Sequence, residues 1–227
     1  MDHAIPQLDG ALLDEARLVL GDTTPREAIE TALGELIRRR RRAAALAREV
    51  RRWAHGTYAG ADLPARPGGG DAAALEEPLA PGALPSGAGV SPPEGSRGWL
   101  LHASALRHGD LPAVRRRLVG LVASGLLLTC GVTELELLAT ARSPVDHREL
   151  LADRRLLYRR VPVDEAVMAQ ALALQERVAE HARAEDTVGA LLVVACARVH
   201  RLTVLHQDAG PALLGAASGV AEEAVLP

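Results

Sequence analysis

The chain has 227 residues, with 26 basic and 29 acidic side chains and a formal net charge of −3. That balance excludes a protein that coats nucleic acid or an anionic membrane through bulk charge, while leaving room for a local basic patch. Hydrophobic residues make up 48% of the chain, ample for a buried core at this length, and no apolar run reaches the roughly 18 residues of a membrane span. With no Phe, the core must be built from Leu, Val and Ala, and every basic residue is an arginine. Cys130 and Cys196 stand in apolar surroundings without a CxxC pairing, which reads as packed thiols, a metal or redox role being the alternative. No secretory pattern opens the chain, so a soluble cytoplasmic protein is expected.

The first 58 residues predict a short strand followed by two helices. Asp9 and Gly10 precede apolar residues at Leu12, Leu13, Ala16, Val19 and Leu20, a helical spacing that stops near Gly21. The second helix has an explicit start. Thr24 can cap, Pro25 takes the first helical position, and Glu27 stands three residues after the threonine, which makes a capping box. Ala28, Leu33, Leu36 and Ile37 then fall near one face, ahead of five consecutive arginines, Arg38 to Arg42. At 3.6 residues per turn these arginines point all round the axis and cannot form one binding stripe. They read either as a solvated helix end near the negative pole of the helix dipole or as part of a basic tail that continues to Arg48, Arg51 and Arg52.

This order, carried by Leu8-Asp9, by Leu12 to Ala16 and by Thr24-x-Arg26-Glu27-Ala28 with Ala32-Leu33, resembles the ribbon-helix-helix antitoxins of the VapB type over about residues 3 to 50. The resemblance implies a homodimer whose paired strands enter a DNA major groove. Alternation from Leu8 makes His3, Ile5 and Gln7 the outward, DNA-facing positions. Of these only Gln7 is a good base reader, and Pro6 removes a backbone donor from the ribbon, so sequence-specific operator binding is not expected. In such antitoxins the tail beyond the helices wraps the toxin and presents an arginine to its acidic site. Arg51, Arg52 and Trp53 are therefore the expected inhibitory segment, with Trp53 and Tyr58 as aromatic anchors.

Residues 59–97 turn to Gly, Pro, Ala and Ser, with Arg66-Pro-Gly-Gly-Gly70 and Val90-Ser-Pro-Pro93. Too few large side chains are present to repay the entropy of ordering, and the segment reads as a flexible tether. Beyond it, residues 98–227 alternate short apolar runs (98–101, 126–129, 160–163, 202–205) with helical stretches (111–123, 132–141, 147–158, 164–184, 187–200), the pattern of an α/β domain with a parallel sheet covered by helices on both faces. Ligands of open parallel sheets bind at the carboxyl ends of the strands, here just after Leu101, near Glu134 and after Leu205.

Three islands, Trp99 to Leu106, Thr129 to Leu137 and Leu202 to Asp208, resemble the PIN-domain ribonucleases of the VapC type over roughly the family's full length. The resemblance implies cleavage of RNA with Mg²⁺ or Mn²⁺ held by a ring of carboxylates. Glu134, in Val132-Thr-Glu-Leu135, matches the family glutamate, and Asp208 fits the acid after the last core strand; these two are the expected catalytic pair and metal ligands. His102 stands where the first acid belongs, with Ser104 retained two residues on, Ala190 stands where the third belongs, and Gly210 where a fifth carboxylate often follows. His102 is a nitrogen ligand better suited to Mn²⁺ or Zn²⁺, or else simply a strand-end histidine. Asp186, four residues before Ala190, is either a replacement acid or the N-cap of the helix that follows.

The sequence thus predicts a VapB-like module fused to a VapC-like PIN domain with an incomplete acid site, weakly active or inactive. The alternatives are an active Mg²⁺ or Mn²⁺ endoribonuclease restrained by its own antitoxin segment, in cis or in trans, and a DNA-binding autoregulator that uses the PIN domain as scaffold.

Overall fold

The structure, a computed structural model, describes residues 9–21, 24–58, 90–179, 188–207 and 209–225. His3, Ile5, Gln7, Asp186, Asp208 and most of the tether lie outside the described residues. The chain divides into two compact units, Met1–Arg42 and Ala43–Pro227.

In the first unit, α1 spans Gly10–Leu20, with the Asp9 carboxylate accepting from the Ala11 amide at its N-cap, and Gly21 ends it at φ 89°. α2 spans Pro25–Ala54. Its start is the expected capping box: the Thr24 amide donates to Glu27 at 2.9 Å, and the Glu27 amide donates back to the Thr24 hydroxyl at 3.3 Å. Ala28 is buried, whereas Leu12, Leu18, Val19, Leu33, Leu36 and Ile37 are exposed. The five arginines do not end this helix. They lie in its middle, because Ala43-Ala-Ala-Leu-Ala47 are strong helix formers with no Gly or Pro to stop them, so the dipole argument for a helix end does not apply.

The second unit is built on a five-stranded, all-parallel sheet in the order β3-β2-β1-β4-β5, where β1 is Trp99–Leu101, β2 Leu127–Cys130, β3 Arg159–Val161, β4 Thr203–His206 and β5 Glu222–Ala224. The helices are α3 (Pro112–Ser124), α4 (Gly131–Leu138), α5 (Pro144–Leu157), α6 (Glu165–Val178), α7 (Val188–His200) and α8 (Ala209–Ser218). Strand side chains alternate between two cores, as a sheet covered on both faces requires. Leu100, Leu128 and Val204 enter one core with Val167, Leu174, Val193 and Leu214 from α6, α7 and α8. Leu101, Leu127 and Leu205 enter the other with Val114, Leu118 and Leu121 of α3 and Leu150 and Leu157 of α5.

That second core also contains Ala45, Leu46, Trp53 and Tyr58. Residues 43–58 are therefore a structural part of the sheet unit. Trp53 is fully buried, and burial of an aromatic side chain of about 150–250 Å² is worth roughly 4–6 kcal/mol. The fit is close enough to dictate its neighbour: a Cβ placed on Gly109 would sit 2.6 Å from Trp53 Cβ. Gly109→Ala is accordingly expected to destabilise the chain by about 1–3 kcal/mol through overpacking, read as a lower thermal midpoint with lost protection of tryptophan fluorescence from quencher. An unchanged midpoint and quenching would contradict the packing described.

Candidate functional site

The carboxyl ends of β1, β2 and β4 are tied into one assembly by backbone and hydroxyl bonds. The His102 amide donates to the Leu205 carbonyl at 2.9 Å, extending the β1–β4 ladder by one residue. The Thr133 hydroxyl, in the first turn of α4, donates to the Leu101 carbonyl at 2.8 Å. The Gln207 amide donates to Ser104 Oγ at 3.0 Å. Helix α4 follows β2 directly, so Glu134 is carried to the same end of the sheet.

His102 is buried and caps a short 3-10 turn, Ala103–Leu106. Its Nδ1 accepts from the Ser104 amide at 3.3 Å and lies 2.8 Å from Ser104 Oγ. Because that nitrogen must accept from the amide, and Ser104 Oγ itself accepts from Gln207, the hydroxyl proton points at Nδ1. Nδ1 is thus spent on the turn. Ala190 is buried in the core formed with α6 and α8, so the place of the third acid is filled by packing. Cys130, at the N-cap of α4, and Cys196 are free, buried thiols; Cys130 Sγ lies 3.6 Å from the Thr133 hydroxyl, Cys196 Sγ donates to the Pro162 carbonyl at 3.7 Å, and the proximity of the two thiols lowers Cys130 and pushes Cys196 up.

Glu134 is 8% exposed and its carboxylate is held by Arg154 of α5. Arg154 Nε donates to one oxygen at 2.9 Å and Nη2 to the other at 2.7 Å, the bidentate geometry that planar guanidinium and carboxylate favour. The third nitrogen, Nη1, donates to Glu49 at 3.2 Å, and the guanidinium carbon lies 4.5 Å from the centroid of the Tyr158 ring. Arg154 is fully buried. Burial alone would lower its pKa, but Tyr158, Glu134 and Glu49 around it reverse that and hold it above its ordinary value.

Glu49 comes from α2 and is likewise fully buried. Its two oxygens accept from the Tyr58 hydroxyl at 3.0 and 2.8 Å, with Tyr158 Oη 3.5 Å away. Desolvation first, then the Glu49 charge, raise both tyrosines well above their ordinary values, so they remain donors. Alongside, Asp153 of α5 accepts from Arg48 Nε at 2.9 Å and from Arg52 Nη1 at 2.8 Å.

This arrangement corrects the expectation that Arg51 or Arg52 covers Glu134. Glu49, Arg52 and Trp53, spaced i, i+3 and i+4, share the helix face turned to the sheet unit, and Arg52 reaches Asp153 and Glu49 instead. Arg51 falls on the other side and is exposed. The guanidinium on Glu134 is supplied by α5, and the wrapping segment contributes an acid. Glu49, Asp153, Arg154 and Tyr158 were missed in the sequence reading. A usable signal existed in α5, where Leu150, Asp153, Arg154 and Leu157 occupy one helical face, an apolar stripe interrupted by two charges.

The described residues do not fit a divalent cation. Both oxygens of Glu134 are engaged by a guanidinium, Nδ1 of His102 is engaged by Ser104, and among the described residues no group of three or more His, Cys, Asp or Glu converges.

Asp153 gives a pH signature. Burial would raise its carboxyl, but bonds from Arg48 and Arg52 outweigh that and hold it below the usual carboxylate range. A depressed folded-state pKa contributes stability that is fully present above the unfolded value near 4 and is lost as pH falls through the folded value. Asp153→Asn is expected to cost about 2 kcal/mol at neutral pH, between exposed and buried ion-pair values because Arg48 is half exposed, and to flatten the stability profile below about pH 4. Urea midpoints across pH check both; a parallel, undiminished acid slope in the variant would contradict the assignment.

Comparison with known proteins agrees with this architecture. Residues 7–50 match the family model described as the bacterial antitoxin of type II toxin–antitoxin systems, VapB. Ribonuclease VapC21 of Mycobacterium tuberculosis is 37% identical over 111 residues, covering 48% of this chain and 80% of that protein. Ribonuclease VapC51 of the same organism is 26% identical over 129 residues, 57% of this chain and 93% of its own. Among solved structures, FitAcB from Neisseria gonorrhoeae aligns with a TM-score of 0.43 and 23% identity, over 55% of this chain and 95% of that one. The chain belongs to the VapC ribonuclease family and carries a VapB-like antitoxin module fused at its N-terminal side.

Proposed function

We propose that this chain is a self-restrained VapC-type protein with little or no metal-dependent ribonuclease activity, whose VapB-like segment is docked on its own sheet domain. The observation that carries the reading is the double hydrogen bond of Arg154 to Glu134. Metal-assisted hydrolysis of RNA needs a carboxylate free to take a hard cation, and this one is committed to a guanidinium. His102 and Ala190, at the places of two further acids, remove two negative charges from the same region. Whatever activity persists would act on RNA, in keeping with the names of the relatives, with Mg²⁺ or Mn²⁺ as the expected metal. The docked segment, which reaches the guanidinium on Glu134 through Glu49, also shields the site from a polymer substrate.

The purified chain is expected to leave a fluorogenic RNA uncut with Mg²⁺ or Mn²⁺, and the double substitution His102→Asp with Ala190→Asp to raise cleavage by about tenfold or more, the scale of one restored group acting in general catalysis or metal binding. Robust cleavage by the unmodified chain that is abolished by Glu134→Ala would overturn the reading in favour of an active, restrained nuclease.

The exposed face of Leu33, Leu36 and Ile37 is the natural pairing surface for a second copy, as the antitoxin match suggests. Light scattering on the full chain is expected to give a dimer that Leu36→Arg with Ile37→Arg converts to monomer; a monomeric unmodified chain would exclude this pairing.

A further inference from the structure

We infer that Cys130 and Cys196, the two cysteines of the chain, form a cross-linking site: on exposure to a hydroperoxide they close to a disulfide that staples the start of α4 to α7, on the face of the sheet away from Trp53.

The backbone brings the two side chains together. Cys130 ends β2 and is the ladder partner of Val161 in β3. Cys196, on α7, donates to the carbonyl of Pro162, the residue after that partner, at 3.7 Å. Neighbouring strands lie about 4.8 Å apart, so the Cys196 thiol stands one ladder step and one residue from Cys130. Both cysteines are fully buried in the same core, the one shared by α6, α7 and α8, and α4 packs on α7.

The two thiols are also unequal, as a nucleophile and its resolving partner must be. Cys130 stands at the N-cap of α4, where the positive end of the helix dipole favours a thiolate, and its sulfur lies 3.6 Å from the Thr133 hydroxyl. The Cys196 thiol first, and then the Thr133 amide and hydroxyl, outweigh burial and hold Cys130 below the usual thiol range, whereas Cys130 and burial push Cys196 up. The thiolate is the reactive form, so Cys130 attacks and Cys196 keeps its proton until the second step.

With hydrogen peroxide, the Cys130 thiolate forms a bond to one peroxide oxygen, the O–O bond breaks, and the departing hydroxide takes a proton to leave as water. Cys130 is then a sulfenic acid. The Cys196 sulfur attacks the Cys130 sulfur, the S–O bond breaks, and the second hydroxide leaves as water with the Cys196 proton. Two thiols lose two electrons and two protons, and one peroxide becomes two waters. The closed loop contains α5, β3 and α6, and the bond fixes the helix that carries Glu134 against α7.

The test is treatment of the full-length chain with hydrogen peroxide, followed by thiol counting in denaturant, intact mass, non-reducing peptide mapping and the thermal midpoint. The reactive thiols are expected to fall from two to none, with a mass lower by about 2 Da and a reducible peptide joining Cys130 to Cys196. The oxidised monomer should melt roughly 5–10 °C above the reduced one. Cys196→Ala should leave Cys130 as a sulfenic acid that dimedone traps, and Cys130→Ala should leave Cys196 unoxidised under the same treatment. Two thiols surviving peroxide in the native chain, when the same reagent consumes them in denaturant, would overturn the inference. A link formed only between chains, or a cross-linked monomer that melts no higher than the reduced one, would overturn it equally, and these readings use the unmodified chain, whatever the variants do.

Discussion

A buried guanidinium must have its charge answered on every side, and Arg154 is answered by Glu134 of α4, Glu49 of α2 and the Tyr158 ring of α5. Much of the functional geometry follows from that requirement. It fixes the orientation of Glu134, it draws the end of α2 onto the sheet domain in one register, and it places Asp153, one residue earlier on α5, opposite Arg48 and Arg52. Removing Arg154 leaves two buried carboxylates without their shared cation, which costs about 3–5 kcal/mol and is comparable to a large share of the stability of an ordinary domain. The apolar part of the same contact, with Trp53 against Gly109 and Leu46 in the shared core, gives affinity without direction; the ion network gives the register.

The fusion changes what an antitoxin-like segment has to accomplish. As a separate chain it would have to bind tightly enough to find its toxin in dilute solution. Joined in one chain, it needs only enough free energy to stay docked intramolecularly. Residues 43–58 nevertheless bury a complete tryptophan and a complete glutamate, far more than tethering requires. The segment is part of the hydrophobic core of the domain, and the division of the chain at Arg42 and Ala43, inside a single helix, accords with this.

Much of the architecture was legible in the sequence because it rests on periodicity and turn chemistry. The capping box at Thr24 and Glu27, the apolar strands β1, β2 and β4 and the parallel, doubly covered sheet appear as read, whereas β3, read as an apolar run over 160–163, is Arg159–Val161 with two exposed arginines. Helix α8 and the edge strand β5 were not read: the strand, Glu222-Glu-Ala224, is polar and short, held by pairing with β4 and by the Glu222–His206 contact rather than by an apolar pattern. The end of α2 was misplaced because a run of arginines looks like a terminus, whereas the alanines after it decide the helix. At the site, Glu134 and His102 were found by their position after a strand. Arg154 and Glu49 could not be found that way, since a long-range ion network depends on which faces meet across 105 residues of sequence, and no local spacing encodes that.

The central claim is that residues 43–58 are locked into the sheet domain by this network and open only when the domain itself unfolds. Native-state hydrogen exchange on the full chain tests it most directly. The account predicts that the amides from Ala45 to Trp53 exchange with the same opening free energy and the same denaturant dependence as those of β1 and β4. Exchange of those amides orders of magnitude faster than the strands, with no denaturant dependence, would show a segment that docks and frays on its own, and would contradict it.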